Sequence, residues 1–140
     1  MATTGVINST IFAVYVLDST YKKIGHMNDA SFSFSHEPRD ITTKDSAGYR
    51  ELLEGLRSWS MSSSNLMAFD ATYGVDELRT AATARTQVTL RWWTSVSGDN
   101  YVQVTAYITS LEESSPGAED NVTFSVTFEG TGSLTISAVT

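Results

Sequence analysis

Apolar and polar residues alternate with a period of two over most of the chain, the pattern of strands that turn one face to a core and the other away from it. The alternation is cleanest over 30–35, where Phe32 and Phe34 are interleaved with Ser31, Ser33 and Ser35, and over 57–63, where Trp59 and Met61 are interleaved with Ser58, Ser60 and Ser62. Residues 86–94 place Val88, Leu90 and Trp92 on one face, 101–110 do the same with Val102, Val104, Ala106 and Ile108, and 121–129 with Phe124, Val126 and Phe128. The stretch 10–17 is apolar enough to be buried on both faces, and 133–137 reads as a last short strand carrying Leu134 and Ile136. A helix is predicted over 74–84, with Asp76 and Glu77 in its first turn and Val75, Leu78 and Ala82 at helical spacing. A further helical turn is expected around 50–55. Polar turn residues at 97–100 and 114–120 separate the strands.

The segment 36–56 breaks this rhythm and is predicted as a long loop between two serine-faced strands. It carries Ile41, Tyr49, Leu52, Leu53 and Leu56, too many apolar residues for a disordered connection. No tandem repeat or linker divides the chain, so 1–140 is expected to be a single β-rich domain. The polar strand faces are unusual in what they lack. Ser31, Ser33, Ser35, Ser58, Ser60, Ser62, Gln103, Thr105, Tyr107, Thr123, Ser125 and Thr127 are neutral, and most are small and hydroxylated. Ordinary solvent exposure accounts for such faces, since Ser and Thr are common at surfaces and Thr suits strands. A smooth hydrated channel, closed laterally by copies of the chain, accounts for them equally.

Composition narrows the chemistry. The chain is 41% hydrophobic, enough for a real core. It has no cysteine, which removes thiol catalysis, thiolate metal sites and disulfides together. Sixteen acidic against nine basic residues give a net charge of −7, the wrong sign for a surface that grips nucleic acid. The longest apolar run, 11–17, falls far short of the roughly 20 residues that span a bilayer, so no membrane insertion is expected. The N-terminus lacks the features of a secretory signal, and synthesis in a cytoplasm is expected. His26 and His36 lack a metal-binding spacing and are assigned surface or structural roles. Asp40 and Asp45 loosely suggest an oxygen-ligand loop for calcium, but without the alternating ligands and closing Glu of an EF-hand a turn or interface role is preferred. Glu112, Glu113, Glu119 and Asp120 read as a solvated acidic face. No nucleophile elbow or phosphate-binding glycine loop is present, and no catalytic residue, cofactor or metal is assigned. Trp92 and Trp93 could stack a sugar or a base, although adjacent strand residues face opposite ways, one to the core and the other outward.

Two stretches carry a resemblance. Thr43-Lys44-Asp45-Ser46-Ala47-Gly48-Tyr49-Arg50-Glu51-Leu52-Leu53-Glu54-Gly55-Leu56-Arg57-Ser58-Trp59-Ser60 has the form T-K-D-S-x-G-aromatic-x-E-x-L-x-G-x-basic-S-W-S, and 122–135 ends in F-E-G-T-G-S-L-T after the segment 106–112 and an acidic loop. In this order, with a helix between them, they resemble the major tail tube proteins of long-tailed bacteriophages. The resemblance implies a mainly β, antiparallel sandwich or barrel-like subunit with one flanking α-helix and a long inter-strand loop. Six copies would form a ring whose inner strands close into a continuous barrel, and stacked rings would form the conduit for DNA delivery. The loop 36–56 would reach the next ring through Ile41, Lys44, Asp45, Tyr49, Glu51, Leu52, Leu53 and Leu56. The lumen would be lined by Ser31, Ser33, Ser35, Ser60, Ser62, Gln103, Thr105, Thr123, Ser125 and Thr127. Implied partners are the chain itself, a tail tip or baseplate initiator, a tape measure protein and a tail terminator, with DNA only in passage. The setting implied is the virion tail, assembled in the host bacterial cytoplasm. The additional C-terminal immunoglobulin-like domain that some relatives carry is not expected here. Three alternatives are weighed. Another tail or baseplate component is one, and a small β-sandwich carbohydrate-binding module using Trp92, Trp93 and Tyr101 is the second. An enzyme of an unfamiliar β class, which would need paired acids in a concave site, is the third.

Overall fold

The computed structural model describes residues 3–69 and 73–139. Seven strands form one antiparallel sheet: β1 (Ala13–Asp18), β2 (Thr20–Lys23), β3 (Met27–Asp40), β4 (Leu52–Leu66), β5 (Val88–Trp93), β6 (Asn100–Ser114) and β7 (Thr123–Ala138). Their order across the sheet is β2-β1-β5-β6-β7-β4-β3. The sheet rolls on itself, because Val14 and Val16 of β1 share a single core with Met61 of β4, four places away in strand order. That core is closed by the inward faces read from the alternation: Val88 and Leu90, Val104 and Ala106, and Phe124, Val126 and Phe128. Residues of β1 and the start of β3 line one cleft, so the two ends of the sheet nearly meet and the domain is barrel-like.

Helix α1 (Val75–Ala84) packs beside β6 with Val75 and Leu78 buried, each such side chain contributing about 1.5–3 kcal/mol. Its first turn is tied by Glu77, which accepts a hydrogen bond from the Gly74 N–H at 2.9 Å. Arg79 on its outer side pairs with Glu113 of β6. Asn65 is the one large polar side chain fully buried among the described residues. It accepts from the Ser63 hydroxyl at 3.0 Å and donates to the Gly25 carbonyl at 3.2 Å, so the turn entering β3 is fastened to β4.

Three local expectations change. The segment 36–56 is strand at both ends: β3 continues to Asp40 and β4 begins at Leu52, so the loop proper is 41–51. The alternation hides this because the register shifts between Glu37 and Arg39. Gly55 lies at that bulge, where a Cβ would stand 1.8 Å from the Glu37 carbonyl oxygen. The helical turn expected at 50–55 is therefore β-ladder, and the only turn of helix in this region is a 3₁₀ turn at Lys44–Ser46. The strands expected at 121–129 and 133–137 are one strand, β7, bent where its pairing with β6 shifts between Gln103 and Thr105. The short edge strand β2, with only Tyr21 to signal it, has no counterpart in the sequence reading.

Candidate assembly interface

The four longest strands lie side by side in the order β6-β7-β4-β3. Their outward faces combine because the register aligns like with like. Ser31 stands opposite Ser62, Ser33 opposite Ser60 and Ser35 opposite Ser58, and across the next ladder Ser62 meets Thr127, Ser64 meets Ser125 and Leu66 meets Thr123. The Ser31–Ser62 and Ser35–Ser58 hydroxyl pairs are 2.7 Å apart, so neighbouring strands are laced by side chains as well as backbone. Thr105 and Gln103 extend the face along β6, opposite Thr131 and Thr135, and Gln103 accepts a hydrogen bond from Arg91 at 3.1 Å. The charges that alternation puts on this face are carboxylates: Asp29 opposite Ser64, Glu112 opposite Ser125 and Glu129 opposite Ser60. Arg57 pairs with His36 and points to the other side.

Both lateral borders of this four-stranded unit are open among the described residues. No strand pairs with the outer side of β3 over its length, and β5 pairs with β6 only from Val102 to Ala106, leaving 107–114 without a partner on that side. Such edges carry unpaired backbone groups and template further strand pairing.

The far end of the β3–β4 hairpin is ordered by its own polar residues. Thr43 donates its N–H to the Ser46 hydroxyl at 3.1 Å, Thr42 accepts from the Glu51 N–H at 2.8 Å, and Ile41 donates to the Glu51 carbonyl at 3.0 Å. Asp40 accepts from the Thr42 N–H at 2.8 Å, and the Thr42 hydroxyl, that N–H and, least, the Arg50 guanidinium hold its carboxyl below the usual carboxylate range. Thr43 and Ser46 of the T-K-D-S-x-G stretch are thus turn-forming groups, a role the alternation could not reveal. The apolar side chains are left largely uncovered: Tyr49 is 76% and Leu56 81% exposed, and Ile41, Leu52 and Leu53 are each more than two-fifths exposed. Lys44 and Asp45 stand exposed on the 3₁₀ turn. An ordered arm that shows this much apolar surface has the makings of a contact site.

The remaining candidates resolve into structure. His36 accepts the Gly55 N–H at 3.0 Å and pins the bulge. Asp40 is a turn acceptor, and among the described residues no three His, Cys, Asp or Glu side chains gather as a metal site. Trp92 packs on Phe12 with ring centres 4.7 Å apart, on the core side. Trp93, on the opposite face, is buried among Tyr15, Tyr21 and Tyr101 under the Arg91 guanidinium, which sits 4.7 Å from its ring. Neither indole is free to stack on a sugar.

A family model described as phage tail tube protein matches residues 8–136. Among solved structures, the tail of an empty gene transfer agent particle refined with C6 symmetry is similar at a TM-score of 0.82 and 21% identity, over 95% of this chain and all of that one. The SPP1 tail tube is similar at 0.72 and 16% identity, over 91% of this chain and 76% of that one. The tube-bearing sheath–tube complex of an extracellular contractile injection system follows at 0.63 and 17%, over 96% of this chain and 100% of that one. At these identities the structural likeness is one of fold. A search of curated proteins returns no match.

Proposed function

The chain belongs to the phage tail tube protein family, a family of structural proteins, and from that premise we propose how its surfaces are used. Copies associate side by side into a six-membered ring, as the C6 symmetry of the gene transfer agent tail suggests. The open edge of β3 in one copy pairs with the free 107–114 edge of β6 in the next. Head-to-tail pairing of this kind closes when the rotation closes, and closure removes every exposed edge. The face bearing Ser31, Ser33, Ser35, Ser60, Ser62, Gln103, Thr105, Thr123, Ser125 and Thr127 then lines the lumen. Rings stack through the hairpin arm, with Ile41, Tyr49, Leu52, Leu53 and Leu56 buried against the next ring and Lys44, Asp45 and Glu51 around them.

The observation that carries this reading is the hydroxyl face itself: four long strands in register present small neutral groups and carboxylates, between two unpaired edges. DNA moving past such a wall meets neutral groups, an Arg91 guanidinium already bonded to Gln103, and weak repulsion from Asp29, Glu112 and Glu129. The chain performs no reaction in this scheme. The tail tip or baseplate initiator, tape measure protein and tail terminator are its partners, and it assembles in the bacterial cytoplasm before serving in the virion. Negative-stain electron microscopy across a concentration series, paired with light scattering, tests the reading. Hollow rings or tubes are expected. Solid fibres, or a monomer that persists when tail-tip components are added, would overturn it.

A further inference from the structure

Two apolar features lie outside the surfaces assigned above, except at Leu56, which the second shares with the hairpin arm. The first is the loop 4–11. It is held at both ends: the Thr3 N–H donates to Asp99 at 2.6 Å, and Phe12 lies against the Trp92 ring. Within it, Asn8 accepts from the N–H and the hydroxyl of Thr10, both at 3.0 Å, and from there Ile11 and Phe12 donate back to the Asn8 and Ser9 carbonyls. Yet Val6 on this fastened loop is 100% exposed, and Ile7 and Ile11 are 44% and 40% exposed. Val6 is thus buried by nothing in the chain that carries it, and Ile7 and Ile11 only in part.

The second is a groove of about 600 Å³ at the base of the hairpin arm, where Phe34, Leu56, Trp59, Val102, Leu134 and Ile136 line an apolar floor and rim. Phe34 is half exposed and Ile136 66% exposed, and no residue of the 4–11 loop of the same copy lines the groove. Loop and groove flank one end of the molecule. Val102 pairs with Ile136 in the β6–β7 ladder, and two pairs further Asn100 meets Ala138, beside the Asp99 that holds Thr3. The loop lies by β1 and β5 and borders the start of β3 through Ser9 and Thr10, whereas the groove is lined from β3, β4, β6 and β7.

We infer that the Val6–Ile7 loop of one copy seats in the Phe34–Leu56–Ile136 groove of the next copy in the same ring. This rests on the polymer reading above and adds to it a second lateral contact, independent of strand pairing. A knob and a socket at separate sites of one copy make a heterologous contact, which repeats around a closed ring. Because the loop is already ordered, docking loses little conformational entropy, and the gain is the burial of Val6 and Ile7 against aromatic and aliphatic walls. The groove carries one charged lining residue, Arg57, so it selects an apolar occupant over the mixed charges near the hairpin tip.

The absence of native cysteine makes a clean test. A Val6→Cys chain and an Ile136→Cys chain, each substituted at an exposed position, are mixed, assembled and oxidised. Mixed disulfide dimers in the tube fraction, with none in the unassembled fraction, are the expected result. Tubes without mixed dimers would overturn the contact while leaving the polymer reading intact, and so would dimers from Tyr49→Cys with Ile136→Cys in their place, which would put the neighbouring ring's hairpin tip in the groove. Failure of the unsubstituted chain to form tubes overturns the polymer reading and this contact with it. As a second measurement, Val6→Asp should raise the critical concentration for assembly by about tenfold or more. An unchanged critical concentration, in a variant whose thermal unfolding matches the parent, overturns the inference.

Discussion

At the scale of single residues, the two stretches that carry the family resemblance meet at one contact. A Cβ on Gly130, from the second, would lie 1.8 Å from Nε1 of Trp59, from the first. Gly130 is in ordinary extended backbone, so the constraint is space and not conformation. Gly130→Ala should therefore push a buried indole out of place and cost about 1–3 kcal/mol, read as a lowered unfolding midpoint followed by tryptophan fluorescence. An unchanged midpoint would show that the ring has room to move. Sequence reading could place Trp59 on the core face by alternation, but the identity of its cross-sheet neighbour depends on register, which no local pattern encodes. Asp99 is a second residue whose role depends on distant partners. Hydrogen bonds from the Thr3 and Thr94 hydroxyls and the Thr3 N–H hold its carboxyl below the usual range. A lowered folded value means the stabilisation is complete above the ordinary carboxylate range and is lost as pH falls through the folded value. The N-terminal segment should thus become accessible to hydrogen exchange once pH falls below the lowered folded value, under the ordinary carboxylate range of about 4, while staying protected at pH about 7. In Asp99→Asn it should be accessible at both.

Among elements, the hairpin arm separates folding from assembly most sharply. Its turn is closed by Asp40, Thr42, Thr43 and Ser46, and its leucines lie outside the buried core. Replacing both Leu52 and Leu53 by Asp should leave the circular dichroism spectrum and the unfolding midpoint within about 0.5 kcal/mol of the parent and abolish tube growth beyond single rings. Normal tubes from that variant would remove the arm from the stacking contact. The arm also shows what a sequence can and cannot disclose. Strand alternation located six of the seven strands and their core faces, because Phe124, Val126 and Phe128, or Val102, Val104 and Ala106, obey a period of two that burial enforces. It failed over 36–56, where neither face of the ladder is buried and a bulge at Gly55 interrupts the period. It failed again at β2, four residues of edge strand with little to bury. The helix was legible from both its acidic start and its apolar stripe, and α1 begins within one residue of the position expected.

For the whole molecule, the balance of charge against apolar surface decides how copies meet. Each carries a net charge of −7, so two copies repel at long range, while the exposed groups offered to a neighbour (Phe34, Leu56, Tyr49, Ile136 and Val6) are apolar. The four ion pairs among the described residues are internal to one chain and lie at its surface, where solvent screening leaves them little net contribution. Salt therefore weakens the repulsion between copies and leaves the attraction nearly untouched. Raising ionic strength from about 0.01 to 0.15 M shortens the screening length from about 30 to 8 Å, comparable to the spacing between neighbouring surfaces. The critical concentration for tube formation should fall over that range, and turbidity or sedimentation at several salt concentrations measures it. A rise would mean that ion pairs between copies dominate the contact, and would shift attention from the leucines of the arm to Lys44, Asp45 and Glu51 beside them. Strand pairing along β3 and β6 responds little to salt in either case, so a fall in the critical concentration reports on the repulsion between copies rather than on the ladder that joins them.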